Sequence, residues 1–309
     1  MKHLFCGGLL TLAMTLTHGA YAQYYEENAT TQSLVATLPM GLSLKMTSQT
    51  MQNGVLSPAI PIGTLTSDDQ GKEGDARLAM MGTMGVGAEL DFNHWSIKNG
   101  PKGQTYWAIP NFVWNFGKDT ELTLCVPMST TDLRNVAGDI NTIGTDLRLK
   151  QHIGDNFYVG GHINAGYANT RSYDDYNGGR NHDDFWTFGA GPFAGVDINL
   201  GERMTLTLGG LVDYGYSQNH INTMVGGLGA SLGIQVASGL AVSPFITYYN
   251  YLQRDAEMMY TEDRDFFDVG INLLGAIKEN WTFSVGVKET LGYENLNSWD
   301  FYIGTVFRF

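Results

Sequence analysis

Apolar residues fall at every second position in one segment of this chain after another. Across 298–309, Trp299, Phe301, Ile303, Thr305, Phe307 and Phe309 share one face, and Asp300, Tyr302, Gly304, Val306 and Arg308 share the other. Farther upstream, Leu78, Met80, Met84, Val86, Ala88, Leu90 and Phe92 oppose Arg77, Thr83, Gly85, Gly87, Glu89 and Asp91. A two-residue repeat of this kind is a strand with one apolar side. From 77 to the end, twelve such strands are predicted, at about 77–92, 105–116, 119–128, 142–153, 156–170, 184–199, 203–217, 223–236, 240–252, 265–278, 281–293 and 298–309.

The connections alternate in length. Gly117-Lys118, Gly154-Asp155, Gly201-Glu202, Ser238-Gly239 and Glu279-Asn280 read as tight turns, whereas 129–141, 171–183 and 253–264 are long and polar. Short turns on one side and long loops on the other mark an all-β, antiparallel, up-and-down barrel crossing a membrane, with the short turns and the C-terminus in the periplasm. A further alternating run, Leu34 to Met46, makes thirteen strands, an odd number for a bacterial barrel. It is either a lumenal segment, or one of two extra strands in a barrel of fourteen, or a sign that 93–141 is divided wrongly by one. The organisation expected is therefore a signal peptide over 1–22, an N-terminal strand, plug or loop over 23–75, and the barrel over 76–309.

The chain begins with a short charged start, an apolar run from Leu4 to Leu16 and Ala20-Tyr-Ala22, the pattern of a secretory leader cleaved near Ala22. Phe5 before Cys6 argues against a lipoprotein site. Beyond the leader, no apolar run approaches the ~20 residues of a spanning helix. Removing the leader takes away Lys2, so the formal charge of −13 becomes −13 − 1 = −14. Such an acidic chain is a poor partner for nucleic acid. Cys125 is the one cysteine left in the mature chain, which excludes an intrachain disulfide. Thirty-nine glycines with sixteen tyrosines, fifteen phenylalanines and six tryptophans suit a wall that is small-residue inside and aromatic at the rims.

With the apolar face toward lipid, the pore-lining candidates are Arg77, Glu89, Asp91, Asp146, Arg148, Lys150, His152, His162, Asp197, Asp213, Asp268, Lys288 and Arg308. Arg148, Lys150, His152 and Arg308 form a predicted cationic cluster near the periplasmic end that would favour anionic or zwitterionic solutes. The competing expectation is that these groups pair with Asp146, Asp197, Asp213 and Asp268 and fill a narrow barrel. The stretch Gly161-His162-Ile-Asn164-Ala-Gly166 is faintly similar to the active-site stretch of outer-membrane phospholipases, but Asn164 stands at the serine position and supplies no nucleophile. Asp174-Asp175 and Asp183-Asp184 sit in a predicted loop, not at facing strand ends as an omptin-like protease needs. No catalytic residue, metal site or cofactor is expected. Acidic loop residues such as Asp255, Glu257, Glu262, Asp263 and Asp265 have the chemistry to hold Ca²⁺ or Mg²⁺, but match no defined loop.

The leader, the hairpins and the terminal Tyr302-Ile-Gly-Thr-Val-Phe-Arg-Phe309 together resemble Gram-negative outer-membrane β-barrel proteins. Two groups are similar in layout, the autotransporter translocators and the phenol-degradation meta-pathway transporters. The resemblance implies a cell outer-membrane location, contact with lipid and lipopolysaccharide, and delivery by the barrel-assembly machinery through a signal that includes Tyr302, Phe307 and Phe309. Its functional implication is a monomeric narrow channel or transporter for small polar solutes. The alternative is a structural or surface-interaction barrel, of which an autotransporter-like barrel is one form, whose pore the N-terminal segment plugs.

Overall fold

The computed structural model describes residues 45, 47–56, 84–97, 102–117, 119–133, 138–173, 180–218, 222–254, 265–278, 280–292 and 296–309. Its strands are β1 (Met84–Ile97), β2 (Lys102–Phe116), β3 (Thr120–Cys125), β4 (Met128–Leu133), β5 (Gly138–Ile153), β6 (Phe157–Tyr173), β7 (Arg180–Gly201), β8 (Met204–Ser217), β9 (Asn222–Ala237), β10 (Leu240–Arg254), β11 (Asp265–Lys278), β12 (Trp281–Leu291) and β13 (Leu296–Arg308). All pairings are antiparallel and join chain neighbours, except that β3 and β4 each pair with β2 and β5 and not with one another, and β1 pairs with β13 to close the sheet. At the seam, Phe309 N donates to Met84 O at 2.9 Å and Met84 N donates to Phe309 O at 3.3 Å.

β3 and β4 are two halves of one wall position. β3 pairs with 111–116 of β2 and 146–151 of β5, and β4 pairs with 103–108 and 139–143 of the same two strands. The interruption is Val126-Pro127, where proline lacks the N–H that a rung requires. Val126 N still reaches Pro110 O, and Pro127 O still accepts from Gly144 N, both at 2.9 Å. Thirteen strand segments thus build a closed barrel of twelve strands, an even number.

The alternation sorts side chains as the sequence predicts. Leu90, Ile163, Leu228, Ile246, Phe301 and Ile303 face outward and are exposed, while Glu89, Asp91, Asp146, Asp213, Asp268 and Lys288 face inward and are buried. A charge turned outward at mid-height would meet hydrocarbon at a cost of about 2–4 kcal/mol for Arg or Lys, so the pleat sets the register. Gly117, Gly154 and Gly239 sit in tight turns at φ 71°, 67° and 69°, a left-handed conformation that suits glycine.

Several expected boundaries move. The first strand lies at 84–97 instead of 77–92, and 77–83 fall outside the described residues. Above Phe92 the pattern inverts: Trp95 points inward and is buried, while His94 and Ser96 point outward. The predicted long loop 129–141 is largely strand, with β4 running to Leu133 and β5 starting at Gly138. Strands that rise above the hydrocarbon meet water on both faces, so the apolar outward row stops before the strand does. Of the alternating run Leu34–Met46, Lys45 is helical and the remainder lies outside the described residues.

Candidate functional site

Residues 45 and 47–49 are α-helical and continue into a π-helical turn, Thr50–Val55. This short helix lies inside the barrel. Lys45, Thr47, Ser48, Gln49, Thr50 and Gln52 are buried although polar, which requires partners across the lumen. The Lys45 ammonium pairs with Asp91 and stands 5.7 Å from the centre of the Trp107 ring. Thr47 donates to Asp213, and Gln49 donates to Glu89. Asn53 Nδ2 reaches Glu89 Oε2 at 3.1 Å, and Lys288 Nζ donates to Ser48 Oγ at 2.9 Å.

The wall also holds carbonyls in the middle of the helix and at its end. Arg148 Nη1 donates to Gln49 O at 3.3 Å, Lys150 Nζ to Gly54 O at 3.0 Å, Ser231 Oγ to Leu56 O at 2.7 Å, and the Tyr158 hydroxyl to Val55 O. Lysine and arginine are the natural partners of carbonyls left open at a helix C-terminus. On β8 and β9, glycines make room for the helix's apolar residues. A Cβ at Gly209 would collide with Val55, and one at Gly229 would stand 2.6 Å from Leu56 and 3.0 Å from Met51. Lys45 is level with Asp91, midway along β1, whereas Val55 meets Tyr158, the second residue of β6. The chain therefore descends from mid-lumen toward the tight-turn end.

Beneath these contacts the wall groups bind one another. Arg148 Nε donates to Asp146 at 2.8 Å and its Nη2 to Cys125 Sγ at 2.8 Å. His162 lies between two carboxylates, 3.1 Å from Asp146 and 3.4 Å from Asp213. Lys288 faces Asp268 at 3.2 Å and Asp300 at 3.7 Å, and Thr207 donates to Asp197 at 2.7 Å. Among the pore-lining candidates, Arg77 lies outside the described residues and the others stand on inward-facing positions.

Arg148, Lys150 and His152 stand at alternate inward positions of β5, and Arg308 stands on β13. Arg148 is engaged by Asp146, Lys150 stands 4.0 Å over the Tyr158 ring, His152 packs edge-on against that same ring, and Arg308 lies 3.9 Å from Glu121. Of the terminal aromatics, Phe307 and Phe309 point outward 6.4 Å apart, while Tyr302 points into the lumen and donates to Asn272. Those three residues do not form one surface. Asn164 is buried and inward, two positions along β6 from His162. Among the described residues, no group of three or more His, Cys, Asp or Glu is placed to hold a metal ion.

Sequence reasoning missed the helix at 45–56 and its acceptors. Its one signal was the spacing of Met51 and Val55, four apart, which puts both on the side that faces Gly209 and Gly229.

No family and no curated protein matches this chain. Solved structures do. The translocator domain of the autotransporter NalP from Neisseria meningitidis superposes with a TM-score of 0.57 at 15% identity, covering 74% of this chain and 89% of that one. The β domain of the Bordetella autotransporter BrkA gives 0.57 at 14%, covering 74% and 100%. An outer-membrane channel from Pseudomonas putida gives 0.54 at 13%, covering 80% and 100%. The fold is that of outer-membrane β-barrels. At these identities the likeness speaks for architecture, and translocators and a channel share it equally.

Proposed function

We propose that this chain is an outer-membrane channel for small polar solutes whose conduction path is closed at rest by its own residues 45–56. The observation that carries the reading is the seating of that helix: its ammonium, hydroxyls, amides and terminal carbonyls are bound by side chains from β1, β5, β6, β8, β9 and β12. Twelve strands lie between the eight that side chains fill and the sixteen or more that leave an aqueous channel. A helix with side chains is about 10–12 Å across, so one helix is a large part of such a lumen. The wall left behind when it departs is polar and carries both signs of charge, the lining a hydrated path needs.

Planar-bilayer recording tests this. The intact chain is expected to show rare or low conductance, and a chain lacking 45–56 to show stepwise ionic conductance. A folded deletion protein that stays electrically silent refutes it. That silence would favour the second reading, a structural or surface-interaction barrel, which the mutual pairing of Arg148 with Asp146 and of Lys288 with Asp268 supports.

A further inference from the structure

The seated helix changes the charge of the lumen near mid-height. Glu89 and Asp91 on β1, Asp300 on β13, Lys288 on β12 and Asp268 on β11 point inward from four adjoining strands and are buried. Asp300 stands in register with Asn93 on one side and Lys288 on the other, within electrostatic reach of Asp91, Asp268 and Lys45. With the helix in place, four carboxylates meet two ammoniums, those of Lys45 and Lys288. Lys45 departs with the helix, and the four carboxylates then share Lys288 alone. The remaining inward cations are engaged elsewhere: Arg148 and His162 by Asp146, Lys150 and His152 at the Tyr158 ring, and Arg308 beside Glu121.

The place that Lys45 fills has the chemistry of an ammonium receptor. One Asp91 oxygen pairs with the ammonium, the centre of the Trp107 ring stands 5.7 Å away, and the whole Lys45 side chain is 1% exposed. The other Asp91 oxygen, Oδ1, is buried and has no hydrogen-bond partner among the described residues, and the same holds for Asp268 Oδ1. A desolvated carboxylate with acceptor capacity to spare, next to an aromatic face, suits a cation that carries N–H donors. The space for it is the space of the lysine itself, an alkyl stem that ends in an ammonium.

We propose that the Asp91–Trp107 seat binds primary alkylammonium solutes, so that the solutes of the channel reading above, on which this rests, are cationic amines and Lys45 is their tethered stand-in. A free amine competes with an ammonium that its own chain holds at high local concentration. By taking the seat only when the helix is away, the amine draws the equilibrium toward the open barrel. An anion or a zwitterion would bring a carboxylate against Glu89, Asp268 and Asp300. A neutral solute would leave Asp91 buried and unpaired. A bare divalent ion is not matched either, since no group of three or more His, Cys, Asp or Glu among the described residues is placed to hold one.

The test is calorimetry on full-length Lys45→Ala in detergent, whose seat has lost its tethered occupant. Titration with n-propylammonium, which supplies the deleted atoms and is charged at neutral pH, is expected to give saturable binding. Propionate, 1-propanol and the ammonium ion should each bind at least tenfold more weakly. The parent, whose seat is taken, and Lys45→Ala/Asp91→Asn, which lacks the carboxylate, should each bind n-propylammonium at least tenfold more weakly than Lys45→Ala does. If Lys45→Ala does not fold, the parent carries the test: n-propylammonium should accelerate maleimide labelling of the buried Cys125 at least threefold and saturably, and propionate should not. Absence of saturable binding to folded Lys45→Ala, equal affinity for propionate or the ammonium ion, equal affinity in the parent, or indifference to Asp91→Asn overturns the proposal. Unaccelerated labelling, where the variant does not fold, overturns it too. Neither readout needs conduction, so silent bilayers beside the expected isotherm sink the channel reading, and stepwise conductance without that isotherm sinks this inference alone.

Discussion

Replacing Lys45 by methionine removes the ammonium that pairs with Asp91 and keeps most of the side chain's volume. Both partners are almost fully buried, with side-chain exposures of 1% and 2%. In the docked state, Asp91 would lie near Asp268 and Asp300 with Lys288 as the lysine remaining among them. Breaking a buried pair from one side costs about 3–5 kcal/mol, because the surviving charge stays desolvated. Once the helix has left, water enters and Asp91 is solvated, so nearly all of that cost falls on the docked state. At about 1.4 kcal/mol per factor of ten, Lys45→Met shifts the docking equilibrium toward the open barrel by roughly two to three and a half orders of magnitude. Two assays read this. Bilayer recordings of the variant should show long open events rare in the parent, and maleimide labelling of Cys125, buried in the parent, should accelerate at least tenfold. The companion Lys45→Met/Asp91→Leu removes both charges and should restore most of the closure, since an apolar pair carries no stranded charge. A folded Lys45→Met protein with parental conductance and parental labelling would refute the assignment of this pair as the latch.

Two further outcomes follow from the same geometry. Gly209→Val places a side chain where Val55 now sits, an overpacking that costs about 1–3 kcal/mol, and should open the lumen while barrel strand content by circular dichroism is unchanged. Leu90→Arg sets a cation on the outward face near mid-height of β1 and should lower unfolding free energy in lipid by about 2–4 kcal/mol, whereas Leu90→Phe should be close to neutral in the same denaturant titration.

The barrel was legible because hydrocarbon outside and a polar enclosure inside impose opposite demands on alternate residues, and Gly85 to Phe92 or Trp299 to Phe309 obey them at nearly every position. Legibility faded where that contrast fades. Asn93 to Ser96 and Thr130 to Asp132 lie in strands whose outward residues include His94, Ser96, Thr130 and Asp132, so the periodic signal stopped short of the real strand ends. The helix was hidden for a different reason. Helices are recognised by burying an apolar stripe, yet this one buries Lys45, Ser48, Gln49 and Gln52 in a polar lumen. The glycines were visible in sequence, but whether Gly209 curves a strand or clears space for Val55 depends on a contact more than 150 residues away along the chain.

That separation also orders events during biogenesis. Leu56 is bound by Ser231 and Ser48 by Lys288, at sequence distances of 175 and 240 residues. The cradle for residues 45–56 does not exist until β12 is in place and β13 has zipped to β1. A segment synthesised before β1 is thus seated only after β13, and its arrival certifies that the cylinder around it is complete.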